Sequence, residues 1–435
     1  MKKILLKVCL NVFASEYSVS PRKTPVSEAL LFNQINALLG KMQYSYFIIC
    51  ACLLSVLSHA HAEFSGQVGA ELRAFPRDAQ YSDQFNNLQG SIYFEPEWRH
   101  YIGEHLQTVV IPYLRLDGRD SERTHADLRE GYALYRVNEW EFLLGVNREF
   151  WGVTESRHLI NIINQVDSVD NIDEEDFLGQ LMFNASAQYD IGRFDVYLMP
   201  HFRERTFAGD KGRLRAGLPV DISAARYQHD DEQWHNDWAL RYSHYLGDWD
   251  VGVSLFTGTS REPRLIPAES GRQLIPYYDQ IEQLGLELQY TQDAWLWKFE
   301  GLVRAGQGHT FLASVAGFEY IFYQVFNSGA DIGLLLEHLY DGRDTTQAPV
   351  TLFNNDLFVG LRYSLNDMQD TLFLAGIMSD LENESGSLRV EAERRIGNSL
   401  KVEIETQLFI NASNDAITTP FKQDNFFTLR LSQYF

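Results

Sequence analysis

Six carboxylates, Asp167, Asp170, Asp173, Glu174, Glu175 and Asp176, end a segment that reads EFWGVTESRHLINIINQVDSVDNIDEEDFL from Glu149. Acids so close together can hold a cation, share a proton or set up a field against fixed basic groups. The middle of the segment is apolar, with Leu159, Ile160, Ile162 and Ile163, so a fully solvated loop would leave those side chains in water. A packed turn inside a larger structure would bury them. Arginines stand at Arg73, Arg99, Arg115, Arg129, Arg241, Arg304 and Arg362, each on the polar face of an alternating stretch. If that face lines a lumen that the acidic segment enters, acids and arginines make a transverse field across a constriction. Such a field favours polar, orientable solutes and sets ion preference by the sign in excess. The competing arrangement leaves the acids on an exposed tip and pairs the arginines with Glu95, Glu97, Glu287 and Glu337.

Other candidate chemistry is weaker. His229, Asp230, Asp231, His235 and Asp237 are ligand types for a divalent ion, but their spacing matches no helical zinc motif, so no metal is expected. Ser156 and His158 lie two apart, which does not by itself bring a nucleophile to its base. Gly306 and Gly308 precede no helix, which removes a phosphate-cradling reading. No cofactor motif is present, and the expectation is a protein that is not an enzyme.

The positioning elements are strands. Period-2 alternation recurs, as in LKVEIETQLFI, with Leu400, Val402, Ile404, Leu408 and Ile410 on one face and Lys401, Glu403, Glu405 and Gln407 on the other. A soluble sandwich would turn the apolar face inward and coat a very large sheet with charge. A membrane barrel inverts this, with apolar side chains on lipid, polar ones on a wet lumen, and closure leaving no backbone group unpaired in hydrocarbon. Strands are expected near 64–75, 90–100, 106–117, 126–136, 140–148, 179–189, 194–203, 236–246, 249–258, 281–290, 294–304, 309–321, 330–340, 355–365, 370–379, 386–396, 399–410 and 425–435. Tight turns alternate with long connections at 149–178, 204–235, 259–280, 341–354 and 411–424. The fold class is therefore all-β, a transmembrane antiparallel β-barrel of about 18 strands, with 16 as the fallback count. Trp98, Trp140, Trp238, Trp249, Trp295 and Trp297 at strand ends fit interface girdles.

The N-terminus fits export. The apolar run Phe47 to Leu57 leads into Ala60-His61-Ala62, an Ala-x-Ala cleavage pattern. Residues 1–41 then read as an extension outside the true product, 42–62 as a signal peptide that starts at Met42 without a basic flank, and 63–435 as the barrel. Cys9, Cys50 and Cys52 all precede the cut, so the exported part needs no disulfide. The whole chain carries 37 basic against 59 acidic side chains, and only 2 of the acids but 6 of the basic groups lie before Glu63. That acidity excludes nucleic acid as a partner.

The last residues explain themselves on this reading. Phe427, Leu429, Leu431 and Phe435 share one face of a closing strand, which resembles the C-terminal assembly signal of bacterial outer-membrane proteins, with Gln433 and Tyr434 as departures. The resemblance implies an integral outer-membrane protein inserted by the barrel assembly machinery. A second resemblance lies at Gly145, Trp151, Gly152, Ile160, Asn161, Ile163, Asn164, Val166 and Asp167. These match an uncharacterised proteobacterial family of outer-membrane barrels, in which a Gly-Arg-Gln-x-x-x-Trp-Gly strand end precedes an Ile-Asn-x-Ile-Asn-Pro-Val-Asp loop; Val146, Asn147 and Gln165 depart from it. It implies a barrel with an ordered loop and no activity.

The chain is too short for a plug domain inside a barrel of about 22 strands. The expected function is a porin-like channel for small polar solutes with cation preference, set in outer-membrane lipid and assembled as a homotrimer. The alternatives are a conduit for a polymer or hydrophobic compound, or a surface or structural barrel.

Overall fold

The computed structural model describes residues 62–435. The expected extension and signal peptide, with their three cysteines, lie outside those residues except for Ala62, which opens the first strand. Eighteen strands form one sheet: β1 (Ala62–Ala74), β2 (Leu88–Ile102), β3 (Leu106–Asp117), β4 (His125–Val137), β5 (Trp140–Asn147), β6 (Gln180–Tyr189), β7 (Gly192–Met199), β9 (Asp237–Leu246), β10 (Trp249–Thr259), β13 (Gln280–Gln292), β14 (Trp295–Ala305), β15 (Phe311–Phe322), β16 (Asp331–Asp341), β17 (Asn355–Ser364), β18 (Leu372–Asp380), β19 (Gly386–Ile396), β20 (Leu400–Ile410) and β21 (Phe426–Tyr434). Each pairs antiparallel with the next, and β21 returns to β1 from Gln67 opposite Tyr434 to Ala74 opposite Phe427. The barrel is closed, so no strand edge is left bare.

The alternation does what the sequence asked of it. On β1, Val68 and Leu72 are exposed while Glu71 and Arg73 are buried, and on β13 Leu284 is exposed while Gln283 and Glu287 are buried. A protein whose exposed side chains are apolar and whose buried ones are charged has lipid outside and polar groups within. Trp140, Trp249, Trp295 and Trp297 stand exposed at the ends of their strands, stacked on neighbours such as Tyr290, 4.6 Å from Trp249. Trp98, at the same end, is half-buried, and Trp238 takes the opposite rim.

One end carries tight turns, at 103–105, 138–139, 190–191, 247–248, 293–294 and 397–399. Gly103, Gly247 and Gly397 supply the left-handed backbone there, with φ of 65°, 65° and 66°. Residues 323–330 make a longer connection at this end, with Gln324, Phe326 and Asn327 all at positive φ.

Two expectations need correction. The strand placed at 194–203 stops at Met199, because Pro200 has no N–H to continue the ladder. Connections expected to be plain loops hold a small sheet of β8 (Arg226–Tyr227), β11 (Arg264–Pro267) and β12 (Leu274–Tyr278). Pro267 and Pro276 masked it, since proline inside a run argues against a strand.

Candidate functional site

Residues 148–179 leave the end of β5 and fold into the barrel. Near the end of β5, Gly145 has a φ of 140° and lies so close to the neighbouring strand that a side chain would strike the Gly131 carbonyl at 2.3 Å. Trp151 is 1% exposed and packs with Ile160, Ile162 and Ile163 against Leu143, Met182, Tyr197, Ala239, Phe256 and Ile281 on the inner wall. Leu159 faces the other way and joins Leu302, Val315, Leu335 and Phe358. The apolar centre of the segment is thus a small core inside the barrel.

Two asparagines fix its course. The Asn161 side-chain oxygen accepts from the Trp151 N–H at 3.4 Å. Asn164 donates to the carbonyls of Asn147 and Leu178, both at 2.9 Å, and accepts from Glu149 N–H at 2.8 Å, so one amide ties the start, middle and end together. An antiparallel bridge between Val166 and Phe177 completes a hairpin. Asn161, Asn164 and Val166 thus each have a structural task in ordering the segment.

The acidic end reaches the wall formed by β1, β3 and β4. Asp167 is fully buried and accepts from Arg129 at 2.7 Å, from Thr206 at 2.8 Å and from the His125 ring at 3.2 Å. Asp170 meets Arg115 at 2.7 Å and Arg129 at 3.0 Å. Arg73 donates to Asn171 at 3.3 Å, and Asp173 meets Arg389 at 2.6 Å. Glu71 gathers Arg123, Arg430 and Arg115 at 2.7, 3.0 and 3.3 Å. Acids and arginines here are in contact, not facing one another across a gap.

The beginning of the segment crosses to the opposite wall. Glu300 accepts from the N–H groups of Val153, Thr154 and Ile160 and from the Thr154 hydroxyl. Glu337 accepts from the N–H groups of Glu155 and Ser156 and from the Ser156 hydroxyl at 2.5 Å. Arg362 holds Glu155 at 2.5 Å. Glu262, in the connection after β10, binds Arg343, Arg304 and Arg157. The segment therefore spans the lumen and is fastened on both sides.

The sequence-selected arginines divide accordingly. Arg73, Arg115 and Arg129 meet the acidic end, Arg362 its beginning, and Arg304 reaches it through Glu262. Arg99 and Arg241 bind the wall carboxylates Glu97 and Glu287 instead. Glu174 meets Arg205 at 2.9 Å, Glu175 is exposed and meets His158 at 3.1 Å, and Asp176 is half-buried. Glu71, Arg123, Arg389 and Arg430 were not singled out, although strand parity places three of them in the lumen; Arg123 lies just before β4 and carries no such signal.

Charge burial shifts several of these groups. Burial works against ionised Asp167, but Arg129 and His125 overcome it and hold the carboxyl well below its usual range. Burial raises Asp176 to about 7, helped by the charges of Asp170 and Asp173, and raises Glu149 to about 7, helped by Asp195. Burial likewise opposes ionised Glu262, and its three arginines hold it low.

Three-carboxylate groupings exist at Asp173, Glu391 and Glu405, but Arg389 already pairs with all three. In the other histidine-rich stretch, Asp237 is buried against Arg261 at 2.6 Å and His235 at 2.9 Å, while His229 is half-buried with its ring 4.5 Å from that of His235. Ser156 and His158 turn to different partners, Glu337 and Glu175.

No protein-family model matches the chain, and no curated protein does. Among solved structures, a BenF-like porin from Pseudomonas fluorescens Pf-5 aligns over 86% of this chain and 98% of its own, with a TM-score of 0.51 and 8% identity. Pseudomonas aeruginosa OccK2 (OpdF), solved in complex with glucuronate, aligns over 86% of this chain and 95% of its own, with a TM-score of 0.50 and 11% identity. The likeness is one of fold. With its closed sheet and apolar exterior, the chain is a porin-like β-barrel integral to the bacterial outer membrane.

Proposed function

We propose that the protein is a narrow outer-membrane channel for small polar solutes, with residues 149–178 as its constriction and selectivity element. One observation carries this: the segment is docked on both walls of the lumen, by carboxylate–arginine pairs on one side and by Glu300 and Glu337 on the other. A polar path narrowed by fixed charges passes small hydrated solutes and rejects large or apolar ones. Acid excess favours cations, and Glu174 and Glu175 are the constriction acids left most open to solvent.

The test is single-channel recording of the folded barrel in a planar bilayer under a salt gradient. Discrete steps with a cation-shifted reversal potential support the reading. Replacing 153–175 by a short Gly/Ser linker should enlarge the steps several-fold.

A second reading is favoured by one feature of the outer rim. Arg213, fully buried, binds Asp424 at 2.6 Å, the Asn86 carbonyl at 2.6 Å and the Gln423 carbonyl at 2.7 Å, and so knots three outer loops together. A barrel capped by that knot would act as a surface protein or as a dedicated conduit that opens only for its cargo. A folded preparation that gives no steps, but gives them after Arg213→Ala, selects this reading.

A further inference from the structure

At the outer rim the lipid-facing wall is indented. β20 runs on to Ile410 while its partner β21 begins only at Phe426, and β1 stops at Ala74. The gap is an apolar notch of about 250 Å³ lined by Ala74, Phe75, Leu88, Thr406, Leu408 and Phe427, with Phe426 closing its inner side. Leu88 and Phe427 are 51% and 44% exposed, which places the notch in the exposed apolar belt. Its floor is sealed from the lumen by two rings under guanidinium groups, Phe426 beneath Arg73 and Phe75 beneath Arg213.

The charge beside it is unusual for this chain. Arg77 follows the lining residue Pro76 and donates to the Lys422 carbonyl at 3.0 Å; Arg119 donates to the carbonyl of Leu88 at 3.1 Å. Arg77, Arg119 and Lys422 form no ion pair with any carboxylate among the described residues, whereas the arginines of the constriction are all paired. Asp117, which accepts from the Arg119 backbone N–H at 2.8 Å, is paired with Arg123 at 3.0 Å. Unpaired basic groups at the rim of an apolar slot, on an otherwise acidic protein, complement an amphiphile with an anionic head.

We propose that the notch seats an acyl chain of the phosphorylated glycolipid of the outer leaflet, with Arg77, Arg119 and Lys422 binding its phosphate. The long connections mark this end of the barrel as the outer one, so the lipid that meets it is that of the outer leaflet. The inference rests on the barrel's place in the membrane and is independent of whether it conducts.

The test is native mass spectrometry of the delipidated barrel in detergent, titrated with bis-phosphorylated lipid A, with its dephosphorylated form and with phosphatidylglycerol. The expected result is a one-to-one adduct with lipid A alone. Each charge contributes about fivefold, so the triple variant Arg77→Gln/Arg119→Gln/Lys422→Gln should weaken it about a hundredfold. Ala74→Phe, which fills the notch, should weaken it as well. The proposal is overturned if lipid A is not retained, if the triple variant retains it as tightly, or if the dephosphorylated lipid or phosphatidylglycerol binds equally, since any lipid then coats the belt without a site. Circular dichroism of each variant verifies the fold before titration.

Discussion

Phe435 and Gly66 exchange both backbone hydrogen bonds, at 3.1 Å each way, so the last residue of the chain is the last rung of the seam that closes the barrel. The Phe435 ring lies over the glycine, where a Cβ would come within 3.1 Å of it, and continues into Phe64 and Phe94 at 5.6 and 6.2 Å. An aromatic end therefore does two things: it completes the ladder and covers a bare patch of backbone with apolar surface. Removing Phe435 should lower the outer-membrane yield, and Gly66→Val should do so through the seam itself, because its φ of 148° and its contacts with Glu95 and Pro96 leave no room for a branched side chain. Wild-type yield of both variants would count against the seam.

The belt gives a second expectation. Leu255 stands outward on the middle of β10 and is 50% exposed. Leu255→Arg puts a charge into hydrocarbon and should cost about 2–4 kcal/mol in denaturant unfolding from liposomes. Gln289→Arg, at a half-buried position with the lumen parity of Glu287 on the neighbouring β13, is the control for orientation; an equal or greater loss there would show the faces are misassigned.

Asp167 tests the dock. Its carboxylate is shared among Arg129, His125 and Thr206 without solvent, and breaking a buried pair typically costs about 3–5 kcal/mol. Asp167→Asn should free the acidic hairpin, raise single-channel conductance and expose 165–178 to protease. Glu175→Gln, at an exposed site, should leave conductance nearly unchanged and reduce only ion preference. Indistinguishable channels from the two variants would remove the distinction between latch and filter.

Acidity should be legible in the current. Glu149 and Asp176 sit near 7, so each binds its proton more tightly in the folded state than in the unfolded one. Their effect stabilises the folded loop as pH falls through about 7 and is complete near their ordinary carboxyl values. Taking the bath from about pH 8.5 to about pH 5.5 removes both negative charges, and the zero-current potential should move towards zero. The double variant Glu149→Gln/Asp176→Asn should start at the low-pH value and stay there. A wild-type potential that ignores pH would refute the assignment.

Much of this architecture was written along the chain. Alternation specifies a strand and its two faces at once, so the eighteen strands and the inward arginines Arg73, Arg115 and Arg129 followed from counting by twos. Parity says that a side chain enters the lumen but not whom it meets there. Glu337 entered only the competing arrangement, as a partner for wall arginines, and in the structure it accepts the backbone of Glu155 and Ser156. Arg99 and Arg241 read as facing the loop and instead find glutamates on their own wall. Arg213 lies outside the strands, where no period marks it, and its partners Asn86, Gln423 and Asp424 are distant in sequence. Pairing across a lumen is a tertiary fact.

The constriction segment has a consequence for the shape of the wall. It enters on the tether of β5 and β6 and is bound to strands on opposite sides that share no hydrogen bond with one another. It is therefore a strut as well as a filter: a load that flattens the cylinder has to break the Asp170 and Glu337 attachments before the wall can bend.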